Sequence, residues 1–511
     1  MKEWNPFIHL GPENFPDEYR ELCFKYGLDN PETADAGFLA FQRAAIGSSL
    51  PLESIYLGEL YHNAEHFEDA KYLYEQHPDH PLALRNLGML YRDGTGVDRD
   101  QQKSLSFLEK AASANDWFSV SEVAYCYLNG LGVEKDAVKA VSFFKLAADN
   151  GYLRGLFNLS TVYLNGAEGV EKDEEKAFTL MLEAANQGHT AAQFFVGQFY
   201  RYGIGGKEET KDREKAFEYL QKSANKNYTR AMYHLAQMYF DPPGEDEEKG
   251  LQFLEKAANL GETDAQSWLG EHYIRGLRVK KDYQLAAKWF KLAADKGDRI
   301  AMYHLGVMHE NGEGMEINLV KAIDYYMKAA EKGHLNGIYV VGVMCYYGKG
   351  IEKDIGKAIH FLEKAADLDH PEALSDLGVL YHEGDGLAKD ARRAAGYYQR
   401  AAEKGNAKAQ CNLGAIYLNG ADGIPADHKK AVELFKQAAN QGQGLAKFNL
   451  GIVYWRGLGV TQDFRVAAEY FHQVALAMQH IQAKVLLAEM YEYGEGVAVD
   501  MAKAASWKKC A

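Results

Sequence analysis

Cysteine is scarce: 511 residues carry only Cys23, Cys126, Cys345, Cys411 and Cys510. The odd count, the wide scatter and the absence of any Cys-x-x-Cys pair exclude a disulfide framework and a cysteine zinc knuckle. They point to a reducing compartment, so a cytoplasmic protein is expected. No apolar run approaches the roughly 20 residues that a membrane-spanning helix needs. The opening segment MKEWNPFIHLGPENFPDEYR has no continuous apolar stretch of the secretory type. Basic charge is in deficit, with 57 Lys and Arg against 72 Asp and Glu and a net charge of −15. A surface of that sign repels phosphate, which disfavours nucleic acid and anionic membranes as partners and leaves a basic or mixed protein surface as the easier match. Glycine pairs are plentiful, but none is followed by the Lys-Ser/Thr of a phosphate loop. Nearly all precede an Asp whose carboxylate would occupy the anion position at the next helix start. No Ser-His-Asp set, Gly-x-Ser-x-Gly elbow or carboxylate pair stands out from the charged background, so neither catalysis nor a cofactor is expected.

What is present is repetition. Residues 373–405 read ALSDLGVLYHEGDGLAKDARRAAGYYQRAAEKG. Ala373, Leu377, Gly378 and Tyr381 fall on one face of a helix. Gly384 and Gly386 stop that helix by reaching φ > 0, and Asp390 is placed to cap a second helix. Ala394, Tyr398, Ala401 and Ala402 mark the apolar face of the second helix, and Gly405 ends it. The landmark recurs with its last residue at Tyr91, Tyr127, Tyr163, Tyr200, Tyr239, Tyr273, His309, Cys345, Tyr381, Tyr417, Tyr454 and Tyr491. The capping residue recurs as Asp100, Asp136, Asp173, Asp212, Asp282, Asn318, Asp354, Asp390, Asp427, Asp463 and Asp500, followed four residues later by alanine, or by serine at Ser104. A fixed period near 36 residues, as between Tyr127 and Tyr163, marks a solenoid.

The whole pattern, Ala-x-x-x-Leu-Gly-x-x-Tyr-x-x-Gly-x-Gly-Val-x-x-Asp-x-x-x-Ala closing with Ala-Ala-x-x-Gly, resembles the Sel1-like repeat family, a relative of the tetratricopeptide repeat with a longer glycine-rich loop. The resemblance implies an all-α fold: an α/α right-handed superhelical solenoid of about twelve helical hairpins over residues 81–511. Residues 1–80 are expected to form an N-terminal helical cap. Pro16 and Pro31 could start helices, and residues 51–80 look like one tetratricopeptide-like hairpin through Leu57, Gly58, Tyr61, Ala70 and Tyr74. Three departures interrupt the phase. The loop near Gly203 is lengthened, Pro242 and Pro243 replace loop glycines while Gly250 replaces the helix alanine, and Arg278 replaces a second loop glycine. At the C-terminus no polar helix follows the last unit, so association through that repeat, with another copy or a partner, is expected.

The family resemblance implies a non-catalytic protein–protein interaction scaffold or adaptor that holds a partner protein or peptide in a concave groove. By analogy with tetratricopeptide hairpins the first helix of each unit lines that groove. Positions five and six beyond the landmark leucine give Arg92, Arg201, Tyr202, Phe240, Arg275, Tyr346, Tyr347, His382, Trp455, Arg456 and Tyr493, side-chain types that dominate binding hot spots. Basic groups among them would favour an acidic or C-terminal peptide, whereas the acidic balance of the chain would suit a basic target. A narrower version is a cytoplasmic, immunity-type inhibitor of one specific protein. An enzymatic alternative rests on His62-Asn63-Ala64-Glu65-His66, which fits the inverted zincin pattern and would make a metal-dependent hydrolase if a continuous helix carried both histidines. Its position after Tyr61 predicts a turn instead.

Overall fold

A computed structural model describes Ala45 and residues 51–205, 211–241, 246–478 and 480–510. The expectations built on Pro16, Pro31, Cys23, Pro242 and Pro243 lie outside these residues. Among the described residues there are 26 helices and no strand; the only β pairing is two isolated bridges, Ala167 with Val170 and Ala421 with Ile424. The helices alternate as first and second members of hairpins, from Pro81–Asp93 with Gln101–Ser113 to Ile481–Tyr493 with Met501–Cys510. A shorter hairpin, Pro51–Asn63 with Phe67–Glu75, precedes them. The chain is therefore an all-α repeat solenoid, grouped into two compact blocks, Met1–Phe253 and Leu254–Ala511.

The hairpin 371–403 shows why the pattern folds this way. Gly384 takes φ 77° and returns its N–H to the Leu380 carbonyl at 2.8 Å, which closes the first helix. The Asp390 N–H then donates to the Tyr381 carbonyl at 2.9 Å, fixing the loop, while its carboxylate accepts from the Arg393 N–H at 2.9 Å and starts Ala391–Glu403. The landmark glycine serves packing. A Cβ on Gly378 would stand 2.5 Å from the Tyr398 ring, so only glycine lets that buried ring lie flat on the first helix. Gly270 with Phe290, Gly306 with Tyr326 and Gly414 with Phe435 repeat the contact in the C-terminal block. In the N-terminal block Gly88 faces Leu108 and Gly197 faces Leu220. Where the third residue past the cap is Lys or Arg and the landmark is tyrosine, the cation lies over that ring: Lys139 is 4.3 Å from the Tyr127 centroid and Lys176 is 3.9 Å from that of Tyr163.

Two of the sequence departures have physical reasons. In the unit with the irregular loop, Asp246 still accepts from the Lys249 N–H at 3.0 Å and caps Glu247–Asn259. Gly250 stands where alanine is usual because the Phe240 ring occupies the space; a Cβ there would be 2.5 Å from it. Arg278 keeps the left-handed backbone of the glycine it replaces, with φ 61° against 73° at Gly132 and 72° at Gly386. That conformation costs a non-glycine residue about 1 kcal/mol or more. Arg278→Gly is therefore expected to raise stability by about 1 kcal/mol, read as a higher midpoint in urea unfolding. A lower midpoint would mean that the arginine's side-chain contacts outweigh the strain.

Candidate partner-binding face

The eleven groove positions separate into two kinds. Position five turns toward the neighbouring unit. Arg92 donates to Glu122 at 2.7 Å as well as to its neighbour Asp93. Arg201 donates to Gln237 at 2.9 Å and to Asp241 at 3.3 Å. Tyr346 donates its phenol to Asp385 at 2.5 Å, and Trp455 donates its indole N–H to Glu495 at 2.8 Å. These bonds span 30 to 40 residues and join one unit to the next. The Asp385 carboxylate and burial together push the Tyr346 phenol up to about 12. His382, also at position five, is exposed.

Position six is the last residue of every first helix except Thr229–Phe240, and it faces solvent. Tyr202, Tyr347 and Tyr493 are 59%, 65% and 72% exposed, and Arg275 and Arg456 are exposed as well. The Arg201 guanidinium lies 5.4 Å from the Tyr202 ring centre, and that of Arg456 lies 5.7 Å from the Trp455 ring centre, so part of each cation rests on an aromatic face. Phe240 is a correction: it is 8% exposed, packed onto Gly250, and belongs to the core of its hairpin rather than to a binding face. In the C-terminal block the structure brings Tyr346 and Tyr347 together with Val343, Val379 and Lys408 around a hollow of about 100 Å³. His382 lines an adjoining hollow of about 210 Å³ with Val379, Asn412 and Ala415.

Sequence reasoning missed a second set of caps. The first helices of several units begin at a histidine whose Nδ1 accepts a backbone N–H: His189 from Ala192 at 3.1 Å, His334 from Gly337 at 3.1 Å, His370 from Ala373 at 3.3 Å and His480 from Ala483 at 3.2 Å. Each ring packs against the aromatic two residues before the preceding unit's landmark leucine. Phe157 with His189, Tyr303 with His334, Tyr339 with His370 and Phe448 with His480 have centroids 5.0, 4.5, 4.5 and 4.4 Å apart. The signal was present in the sequence, because Asp298 and Asn406 occupy the same position and cap in the same way.

The metal-hydrolase alternative does not survive the geometry. Helix Pro51–Asn63 ends before Glu65, which takes φ 63°, and His66 precedes the next helix, so the two histidines do not share a helical face. Among the described residues no group of three His, Cys, Asp or Glu converges as a metal site. The described cysteines Cys126, Cys345 and Cys411 are buried and unpaired, and burial pushes the Cys126 and Cys411 thiols up to about 11. No helix among the described residues is long and apolar enough to cross a membrane.

Comparison with known proteins matches this architecture. A solved protective antigen from uropathogenic Escherichia coli with an SLR fold is 28% identical, covers 85% of this chain and 84% of its own, and superposes with a TM-score of 0.56. A Sel1 repeat protein from Oxalobacter formigenes is 27% identical over 61% of this chain and 89% of its own, with a TM-score of 0.47. An immunity protein from Pseudomonas aeruginosa is 18% identical over 42% of this chain and 82% of its own, with a TM-score of 0.31. No curated protein sequence matches. The Sel1 repeat family model matches twelve consecutive segments, 81–116, 119–152, 153–189, 190–228, 229–262, 263–298, 299–334, 336–370, 371–406, 407–443, 444–477 and 481–511. With twelve matched repeats and the helical hairpins that they form, this chain belongs to the Sel1 repeat family.

Proposed function

We propose that the protein is a non-catalytic scaffold that holds a partner polypeptide against the exposed ends of its first helices. Sel1 repeat proteins are generally protein-interaction scaffolds. The observation that carries the reading to this chain is the recurrence of exposed Tyr202, Arg275, Tyr347, Arg456 and Tyr493 at one position of the repeat. Large, stiff or planar side chains at such sites lose little entropy on contact and bury much area. Residues 1–80 act in this proposal as the N-terminal cap of the array. The unpaired thiols support a reducing, cytoplasmic setting. Association through the last hairpin, where Ile481, Val485, Tyr493, Val499 and Met501 are exposed, belongs to the same proposal.

The test is quantitative capture by wild type and by the triple variant Tyr202→Ala, Tyr347→Ala, Arg456→Glu. These side chains are exposed, so folding is expected to be unchanged. Hot-spot truncations cost roughly 1–2 kcal/mol or more apiece, so partner affinity is expected to fall by at least tenfold. One protein captured at fixed stoichiometry identifies the inhibitor version, and several identify an adaptor. Unchanged capture by the triple variant would overturn the assignment of this face.

A further inference from the structure

Three positions bring charge to the landmark residue of a unit. They are the cap of the second helix, the third residue past that cap, and the ninth residue past the preceding unit's cap. Lys215 shows the usual arrangement at the third position: it pairs with the Asp212 cap at 3.5 Å and lies 5.3 Å from the Tyr200 ring centre. The ninth position reaches the next landmark, as Glu109 does in accepting the Tyr127 phenol at 3.4 Å.

Unit 299–334 exchanges cap and landmark together. Its cap is Asn318, the one second-helix cap of the twelve repeats that is not Asp, and its landmark is His309. Asn318 accepts the Lys321 N–H at 2.9 Å, so the helix is capped as elsewhere but without a charge. Lys321 therefore meets neither carboxylate nor phenol at these positions, and it makes no ion pair among the described residues. In the following unit, where Cys345 is the landmark, Lys357 still pairs with Asp354 at 3.6 Å. The ninth position adds Lys291, which also makes no ion pair among the described residues. Lys291, Asn318 and Lys321 thus bring a charge of +2 to His309. Glu109, Asp136 and Lys139 bring −1 to Tyr127, and no other unit exceeds the +1 that Lys145, Asp173 and Lys176 bring to Tyr163.

These groups meet at a hollow. Lys291, His309 and Lys321, from helices Tyr283–Asp295, Arg299–Asn311 and Leu319–Glu331, line a space of about 320 Å³ with Leu305 and Met315 as apolar walls. An imidazole is shorter than a phenol and leaves room that a landmark tyrosine would fill. Tyr325 stacks on His309 with centroids 5.7 Å apart and 12° between the planes, which gives the hollow an aromatic side. The carboxylate on its wall, Asp324, is paired with Lys328 at 2.8 Å. Burial and the Lys321 cation hold His309 below the usual histidine value, against a hydrogen bond to the Glu316 backbone. The positive charge at neutral pH therefore belongs to the two lysines.

Two ammonium groups without carboxylates repel each other, and a dianion set between them removes that cost. Lysine serves phosphate as a point charge on a flexible stem, whereas one carboxylate carries a single charge for two cations. A polyanion is disfavoured by the net charge of −15 on the chain. The apolar and aromatic walls suit the organic group that carries the phosphate.

We infer that the hollow of unit 299–334 binds a phosphate monoester, held as a dianion between Lys291 and Lys321 with its organic group against Leu305, Met315 and Tyr325. The site is independent of the scaffold reading and of the residues named for it. The test is calorimetric titration of the full chain with phenyl phosphate at low ionic strength, where surface charge is least screened. Benzoate, with the same ring and a single charge, is the control, and phenyl phosphate is expected to bind at least tenfold more tightly. Lys291→Gln and Lys321→Gln are each expected to weaken binding about tenfold. His309→Tyr and Asn318→Asp install the residues that most other units carry, so the fold is expected to persist. Each is expected to weaken binding by a similar factor, the first by filling the hollow and the second by adding a carboxylate. Lys176→Gln, at the same position in a unit with its Asp and Tyr in place, is expected to change nothing. A peptide with one phosphotyrosine separates the sources. Tighter binding than phenyl phosphate assigns the group to a partner protein, and equal or weaker binding assigns it to a free ester. Absence of phenyl phosphate binding, equal affinity for benzoate, or affinity unchanged in both lysine variants overturns the inference.

Discussion

Replacing Phe435 by alanine is expected to remove about 3–5 kcal/mol of stability, and adding Gly414→Ala to that variant is expected to restore part of it, although Gly414→Ala alone is destabilising. Phe435 is fully buried in a cluster with Val432, Leu450 and Val453. Its ring lies on Gly414 so closely that a Cβ there would be 2.7 Å from the ring edge. In the wild-type background the added methyl forces the ring aside, an overpacking loss of roughly 1–3 kcal/mol that exceeds the gain of about 1 kcal/mol from alanine in a helix. With Phe435 gone the same methyl enters vacated space, so both contributions favour it. The double-mutant cycle should therefore give a coupling of about 2 kcal/mol or more, measured by urea unfolding. Because each repeat contacts only its neighbours, the damage should be local. Hydrogen exchange should accelerate within 407–456 and remain unchanged in 81–165. Additive effects of the two substitutions would show that the glycine is there for the backbone and not for the ring.

That prediction was half legible in the sequence. The period, the loop glycines and the capping Asp are local signals, and they located the hairpins because a cap or a left-handed turn is decided within a few residues. The reason for the landmark glycine is not local: it depends on a ring some twenty residues ahead. The division within the candidate face was illegible for the same reason. Positions five and six are adjacent in sequence, yet Arg92, Arg201, Tyr346 and Trp455 are spent on bonds to the next unit, whereas Tyr202, Tyr347 and Tyr493 remain exposed. Phe240 looked like its counterparts until Gly250 showed where the ring goes. Spacing within one unit cannot report a contact made 30 to 40 residues away. The histidine caps were hidden for a different reason. Histidine is not among the usual capping residues, and its Nδ1 can accept only while the ring is neutral.

That requirement makes acid lability the second large effect. His80, His189, His334 and His370 each accept a backbone N–H at Nδ1, and burial holds each below the usual histidine value. At His370, Glu372 and Asp376 pull the other way without overcoming burial. Burial and Arg201 also bring His234 down to about 4. The unfolded chain takes up protons near pH 6.5 while the folded chain resists them. Stability is thus complete above about pH 7 and falls as pH drops through 6.5 toward the lower folded values. The depressed carboxylates, such as Asp369 held down by Arg400 and Lys404, lose their contribution only below about pH 4. The interval from pH 7.5 to 5 therefore isolates the histidines. Each lost cap is worth about 0.5–1 kcal/mol, so the double variant His334→Asn, His370→Asn should lose about 1–2 kcal/mol less than wild type over that interval. Asparagine already performs the task at Asn406, which accepts from the Ala409 N–H at 2.9 Å. The variant is expected to be somewhat less stable at pH 7.5, having lost the stacking on Tyr303 and Tyr339, and flatter in its pH dependence. Thermal unfolding across that range measures both, and parallel curves for the two proteins would mean that these rings do not carry the acid sensitivity.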